Sequence, residues 1–306
     1  MDHPAIPHLK QADPILGRII DRVGQLPPGP RSEGTHLGAL ARAIVYQQLS
    51  GKAAGTIHGR FEALYGGRAP TPEELLATPD EQLRAAGLSR AKTLYLKDLA
   101  ARAIAGTVAV DQLHELGDDA LMEALTSVKG IGKWTAQMFM MFRLGRPDVL
   151  PDLDLGVRIA VQLAYNLRRM PTPQEVLTRG AAWSPYSSFA AWYLWRSLEL
   201  PETADARRKA LARAAAERVK AKQPAKKRAA KRPAKHTAKH PARHPAKRPA
   251  KRAASRGQAK RPTKRRSATN GAATNGAATN GAAINRAATN RVALKRRNPT
   301  PRKKAR

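Results

Sequence analysis

The sequence contains no cysteine. That excludes a disulfide framework, a zinc–thiolate site and a cysteine-held iron–sulfur cluster. It has no apolar run long enough to span a bilayer. Its first residues, MDHPAIPHLK, lack the basic-then-apolar order of a secretory signal. The expected setting is the cytoplasm, with no membrane partner. The eight histidines show no metal-ligand spacing, and four of them, His3, His236, His240 and His244, lie near the start or in the last third. Acidic and aromatic residues thin out abruptly after residue 200. Residues 201–306 hold 34 of the 56 Lys and Arg, 3 of the 23 Asp and Glu, and no Trp, Tyr or Phe. That segment carries +31 of the net +33, and residues 1–200 carry +2. The chain is an ordinary body with a cationic appendage, whose natural partner is a polyanion.

Three segments are expected: an extension over 1–30, a body over 31–202, and a disordered tail over 203–306. The stretch 224–254 repeats units such as PAKH, PARH and PAKR. Pro233, Pro241, Pro245 and Pro249 interrupt any long helix there. It has nothing apolar to bury, so nothing offsets the entropy of ordering it. The TNGAA repeats at 268–291 form a nearly uncharged spacer, and LKRRNPTPRKKAR closes the chain. The Ala- and Arg-rich stretch 205–222 is a candidate helix. The tail resembles the Lys/Ala/Pro tails of linker histones. That composition implies non-specific binding to DNA phosphate and association with the nucleoid. A solubilising or weakly RNA-binding tail is the competing account.

The body reads as all-α, with no convincing strand pattern. HLGALARAIVYQQLS (36–50) places apolar residues at 37, 40, 44, 45 and 49, near a 3.6 period. TPEELLAT begins with Thr71 as a cap, Pro72 at the first helical position and acids in the first turn. SRAKTLYLKDLAARAIAG (89–106) opens on Ser and closes on Gly.

Between DDALMEALTSV and GKWTAQMFMMFRLG lies the turn VKGIG, a helix-hairpin-helix pattern. Gly130 and Gly132 are expected to permit backbone angles that side chains forbid and to let a partner's backbone come close. The amides of Ile131, Gly132 and Thr135 can point at a phosphate, and Lys133 can add charge. Such a grip reads no sequence. Twenty residues after Trp134, the loop RPDVLPDLDLGVR carries Asp154 to the start of a helix.

The order hairpin, Gly/Pro loop, Asp, helix resembles the helix-hairpin-helix/Gly-Pro-Asp superfamily of DNA glycosylases. AIVYQQLSGKAAGTI (43–57), VKGIGKWTA and WSPYSSFAAWYLW (183–195) are similar to its alkylation-repair branch, the 3-methyladenine DNA glycosylase II type. The resemblance covers about 31–200 and implies two helical subdomains with a DNA cleft between them. It implies a monomer acting on damaged double-stranded DNA without a cofactor, and the short stretch before residue 31 leads one to expect no additional N-terminal β-domain of the kind some relatives have. A hairpin of this kind can hold Na⁺ or K⁺ through backbone carbonyls near Val128 and Ile131.

The chemistry fits a single carboxylate. Breaking an N-glycosidic bond develops oxocarbenium character, which one acid can stabilise. An alkylated purine is already cationic and leaves without a general acid. Asp154 is the catalytic candidate. Asp152 is its neighbour, whose competing role is loop capping or exposure, and Asp148 is assigned a structural role. In lyase-competent relatives the Trp134 position carries a Schiff-base lysine, so the resemblance implies a monofunctional enzyme. Trp134 would line the base pocket by stacking and cation–π contact, with core packing as the alternative. Met138 stands one turn on, where some relatives place an aromatic. Tyr186 and Trp183 are expected near the pocket, and Trp192 and Trp195 in the core. Gln48 or Leu49 is expected to fill the gap left by a flipped base. Ser187 replaces an Arg common in relatives, and Lys129 a common Pro. Two other functions compete: a lyase-active glycosylase for other bases, disfavoured by Trp134, and a non-catalytic chromatin-like protein, disfavoured by Asp154.

Overall fold

The computed structural model describes residues 3–222, so the basic repeats and the TNGAA spacer lie outside the described residues. Among the described residues every regular element is helical, as the sequence leads one to expect. Two short helices open the chain, α1 (Ala5–Ala12) and α2 (Pro14–Val23). Asp13 separates them and caps α2: its carboxylate accepts from the Ile15 and Leu16 amides at 3.0 and 3.1 Å. An irregular segment then leads to α3 (His36–Tyr46), capped by Thr35, and α4 (Gly51–Ala63), capped by Ser50. Next come α5 (Pro72–Ala77), with a Thr71–Glu74 capping box, α6 (Asp80–Ala85) and α7 (Arg90–Ile104), capped by Ser89. Helices α8 (Asp118–Ser127) and α9 (Lys133–Phe142) flank the hairpin turn. Asp154 caps α10 (Leu155–Ala164), and α11 (Pro173–Gly180) has a Thr172–Glu175 capping box. Helix α12 (Ser187–Ser197) is followed by α13 (Ala204–Lys222).

The helices pack in two groups. In the first, α3 rests on α4, α7 and α9, α7 on α5 and α6, and α8 on α9. Leu40, Ile44, Phe61, Leu96 and Leu99 are fully buried there. In the second, α2 and α10 pack against α12, α1 against α2, and α11 against α10. Leu16, Ile20, Val161 and Tyr193 form its interior. Each such side chain contributes roughly 1.5–3 kcal/mol by leaving water. Arg143, just past α9, ties down the crossing segment: its guanidinium donates to the carbonyls of Arg31 and Glu33 at 2.7 Å, to that of Gly34, and to His36 Nδ1 at 3.0 Å.

Two sequence boundaries shift. Residues 1–30 are set apart in sequence as an extension, yet α1 and α2 are built into the second group. The Tyr165 hydroxyl and Trp183 Nε1 both donate to Asp13 Oδ2, the latter at 3.0 Å. The tail is expected to begin disordered at 203, but Ala204–Lys222 is helical, as the candidate helix at 205–222 suggests.

Candidate active site

The hairpin turn is built from α7. Gly130 has φ +82°, and a methyl group there would lie 2.2 Å from the Tyr95 ring. Only glycine meets both demands. Gly132 is different: its φ is −93° and nothing lies within 4 Å of an added Cβ. The expectation that both glycines serve forbidden angles is thus corrected, and Gly132 leaves open space on the outer side of the turn. Asp98 on α7 accepts from the Lys129 amide at 2.9 Å and pairs with its ammonium at 3.4 Å. Helix α9 has no side-chain cap, so its first amides are free of side-chain acceptors. Val128 and Ile131 are buried, and the Val128 carbonyl accepts from the Ile131 amide at 3.1 Å. The carbonyls assigned to a monovalent cation therefore belong to a closed turn, with one Val128 lone pair already used.

Two expected DNA contacts are already engaged, the Ile131 amide by the Val128 carbonyl and Lys133 by Asp152. The Thr135 side chain is buried within α9, while its amide is among the uncapped first amides of that helix. Lys133 Nζ sits 2.7 Å from Asp152 Oδ1, so its charge is already compensated. Asp152 is buried, not exposed, and also receives Gln137 Nε2 at 3.5 Å.

Asp154 stands where the two helix groups meet. It is 2% exposed and accepts three hydrogen bonds. Trp134 Nε1, from α9, donates to Oδ2 at 2.8 Å. Trp195 Nε1, from α12, and the Val157 amide donate to Oδ1, each at 2.8 Å. Gly156 makes room for this: a Cβ there would lie 2.9 Å from Asp154 Oδ1 and 3.0 Å from Trp195 Cδ1. Phe142 stacks on Trp195 with centroids 5.9 Å apart. Met138 lies one turn after Trp134 on the same helix face, 8% exposed. A carboxylate held by two indoles can meet a cationic, flat base and a developing sugar cation.

Trp195 is buried, as its spacing suggests, but its bond to Asp154 is not legible in the sequence. Only the tertiary contact across 41 residues reveals it. Trp183 and Tyr186 do not join this cluster. Trp183 is fully buried with its N–H satisfied by Asp13, a structural role instead of a pocket one. Tyr186 is the N-cap of α12, nine residues before Trp195 and so roughly 13 Å away along the axis. It packs against His8 at 5.4 Å and Phe189 at 6.0 Å. Trp192 is core, as expected. Asp148 is structural: it accepts from Ser184 Oγ and Ser187 Oγ, both at 2.5 Å, and from the Ser187 amide at 3.1 Å. Burial raises its pKa, but these bonds outweigh that and hold it below the usual carboxylate value. Ser187 is therefore committed to starting α12.

The YQQLS turn completes the picture. Gln48 is exposed with φ +59°, an uncommon conformation for a residue with a side chain, while Leu49 is half-buried. Gln47 Nε2 donates to the Gly130 carbonyl at 2.8 Å. Lys92 Nζ, from α7, donates to the carbonyls of Val45 and Gln47 at 2.7 and 2.8 Å. Burial lowers the Lys92 pKa.

Residues 41–185 match the HhH-GPD superfamily of base excision DNA repair proteins. DNA-3-methyladenine glycosylase 1 of Schizosaccharomyces pombe is 36% identical over 198 residues, 64% of this chain and 87% of its own length. The structure of the S. pombe 3-methyladenine DNA glycosylase in complex with abasic DNA aligns with TM-score 0.59 and 35% identity, covering 65% of this chain and 98% of that one. A DNA-3-methyladenine glycosidase from Bacillus halodurans aligns with TM-score 0.58 and 37% identity over 64% and 89% of the two chains. The chain belongs to the HhH-GPD superfamily of base excision DNA repair proteins.

Proposed function

We propose that this protein is a monofunctional DNA glycosylase that excises alkylated purines from duplex DNA and leaves an abasic site. The observation that carries this is the Asp154 carboxylate held between the Trp134 and Trp195 indoles. The three N–H groups fix its orientation before substrate arrives, so no reorganisation is needed when charge develops. As the glycosidic bond lengthens, the carboxylate stabilises the oxocarbenium-like sugar and orients the attacking water. The indole faces and Met138 offer a stacking surface to a base that is already cationic. No amine takes the Schiff-base role: tryptophan holds the lysine position, and Lys133 is occupied by Asp152.

Around this centre, the Gly132 amide and the first amides of α9 bind a DNA phosphate. Gln48, exposed at the tip of its turn, fills the gap left by the flipped nucleotide. The basic tail tethers the enzyme to DNA phosphate and keeps it on the nucleoid in the cytoplasm.

The test is release of free methylpurines from DNA treated with a methylating agent. Wild type should release them and give strand breaks only after hot alkali. Asp154→Asn should lower single-turnover release by at least about 10²-fold. Breaks without alkali would establish a lyase, and no release with tight DNA binding would establish a binding protein.

A further inference from the structure

One face of α7 holds both exposed turns. Lys92, Tyr95 and Asp98 follow each other at three-residue spacing. Lys92 binds the end of α3 through the Val45 and Gln47 carbonyls. These are orphan acceptors at a helix C-terminus, where a cation is favoured. Tyr95 underlies Gly130, and Asp98 holds the Lys129 amide. Gln47 then closes the circuit directly, from one turn to the carbonyl of the other. It is the residue immediately before Gln48, whose backbone is left-handed and whose side chain is exposed. A strained residue persists only where its surroundings determine it. Here those surroundings are Gln47 on one side and the Ser50 cap of α4 on the other.

We propose that Gln47 and Lys92 are positioning residues: they lock the Gln48 turn to the hairpin so that gripping the backbone and opening the stack become one event. The proposal rests on the glycosylase reading above. Its physical content is a fixed distance. The hairpin sets where the phosphate sits, and the Gln47–Gly130 bond sets how far from it Gln48 enters. Without that bond, the turn can still fold and the hairpin can still bind, but insertion is no longer in register with the grip.

The experiment uses the full chain and a duplex with one 7-methylguanine beside 2-aminopurine, whose fluorescence rises on unstacking. Gln47→Ala removes one exposed bond and leaves the turn's other anchors in place. At saturating protein it should lower both the fluorescence rise and single-turnover excision about tenfold, the order expected when an aligning hydrogen bond is lost. Lys92→Met should do the same, and Lys92→Arg should restore part of the effect. In a Gln48→Ala background, Gln47→Ala should cost less than about twofold more, because both act on one step. The proposal is overturned if the two losses multiply independently, or if Gln47→Ala leaves the fluorescence rise unchanged. If wild type unstacks the site but releases no base, the glycosylase reading fails while the fluorescence still decides the coupling.

Discussion

Asp154 is the proposed catalytic residue, and its partners make separable predictions. Trp195→Phe keeps the ring and removes one donor to Oδ1. We expect single-turnover excision to fall about tenfold, less than for Asp154→Asn, since a single neutral donor is removed. Unchanged excision would mean that the Trp195 bond to Asp154 is structural only. Gly156→Ala puts a methyl 3.0 Å from Trp195 and 2.9 Å from Asp154 Oδ1. It should impair catalysis while barely changing binding to undamaged DNA. Asp154 and Trp134 were legible in sequence because both lie in one continuous motif. Trp195 and Gly156 were not: their role exists only once α12 folds onto α10. Trp183 was misplaced for the same reason, since its partner, Asp13, lies 170 residues away.

Asp13 itself governs stability. Burial raises its pKa, but bonds from Tyr165, Trp183, Leu16 and Ile15 prevail and hold it below the ordinary value of 3.8. A depressed folded-state value means its contribution is present above the unfolded value and is lost as pH falls through the folded one. Asp13→Asn should therefore lower thermal stability at pH 7, by about 1–3 kcal/mol for a lost cap and unsatisfied donors. The gap to wild type should close in acid, which melting curves across pH would show. An equal gap at all pH values would mean the carboxylate charge is immaterial.

At the scale of the element, the hairpin's two glycines answer the question its sequence poses. Gly130→Ala meets both a left-handed backbone and the Tyr95 ring, and should destabilise the fold by more than about 2 kcal/mol. Gly132→Ala meets no obstacle, and should shift stability by less than about 0.5 kcal/mol. It should nonetheless weaken DNA binding, because its methyl occupies the side left open for a phosphate. Urea unfolding and DNA titration of the pair would separate the two roles, and equal folding costs would refute the distinction. The pattern G-x-G announces a turn but does not say which glycine serves the chain and which serves its partner. Two helices were readable from their caps: Thr71 and Ser89 each accept from an amide three residues on.

Across the whole molecule, charge and chemistry are divided between segments. The body near neutrality holds the site, and residues beyond 200 hold nearly all the excess charge. Truncation after Lys222 retains the described helices and removes the basic repeats. It should flatten the salt dependence of binding to undamaged DNA. Six to ten phosphate contacts imply roughly 10³- to 10⁵-fold weaker binding between 50 and 200 mM salt, and most of that slope should vanish. An unchanged slope would place the electrostatic footprint on the body. The all-helical class was plain from periodicity, but the integration of α1 and α2 was not, because it rests on contacts between opposite ends of the body.

All four tryptophans lie in the body, and two of them end on the same carboxylate. The protein therefore carries its own optical label at the proposed point of catalysis. Indole emission depends on the charge and hydrogen bonding around the ring, so a base stacking beside Trp134 and Trp195 changes the light the protein gives out. A stopped-flow trace of that emission would time the arrival and departure of the base with no dye on either molecule.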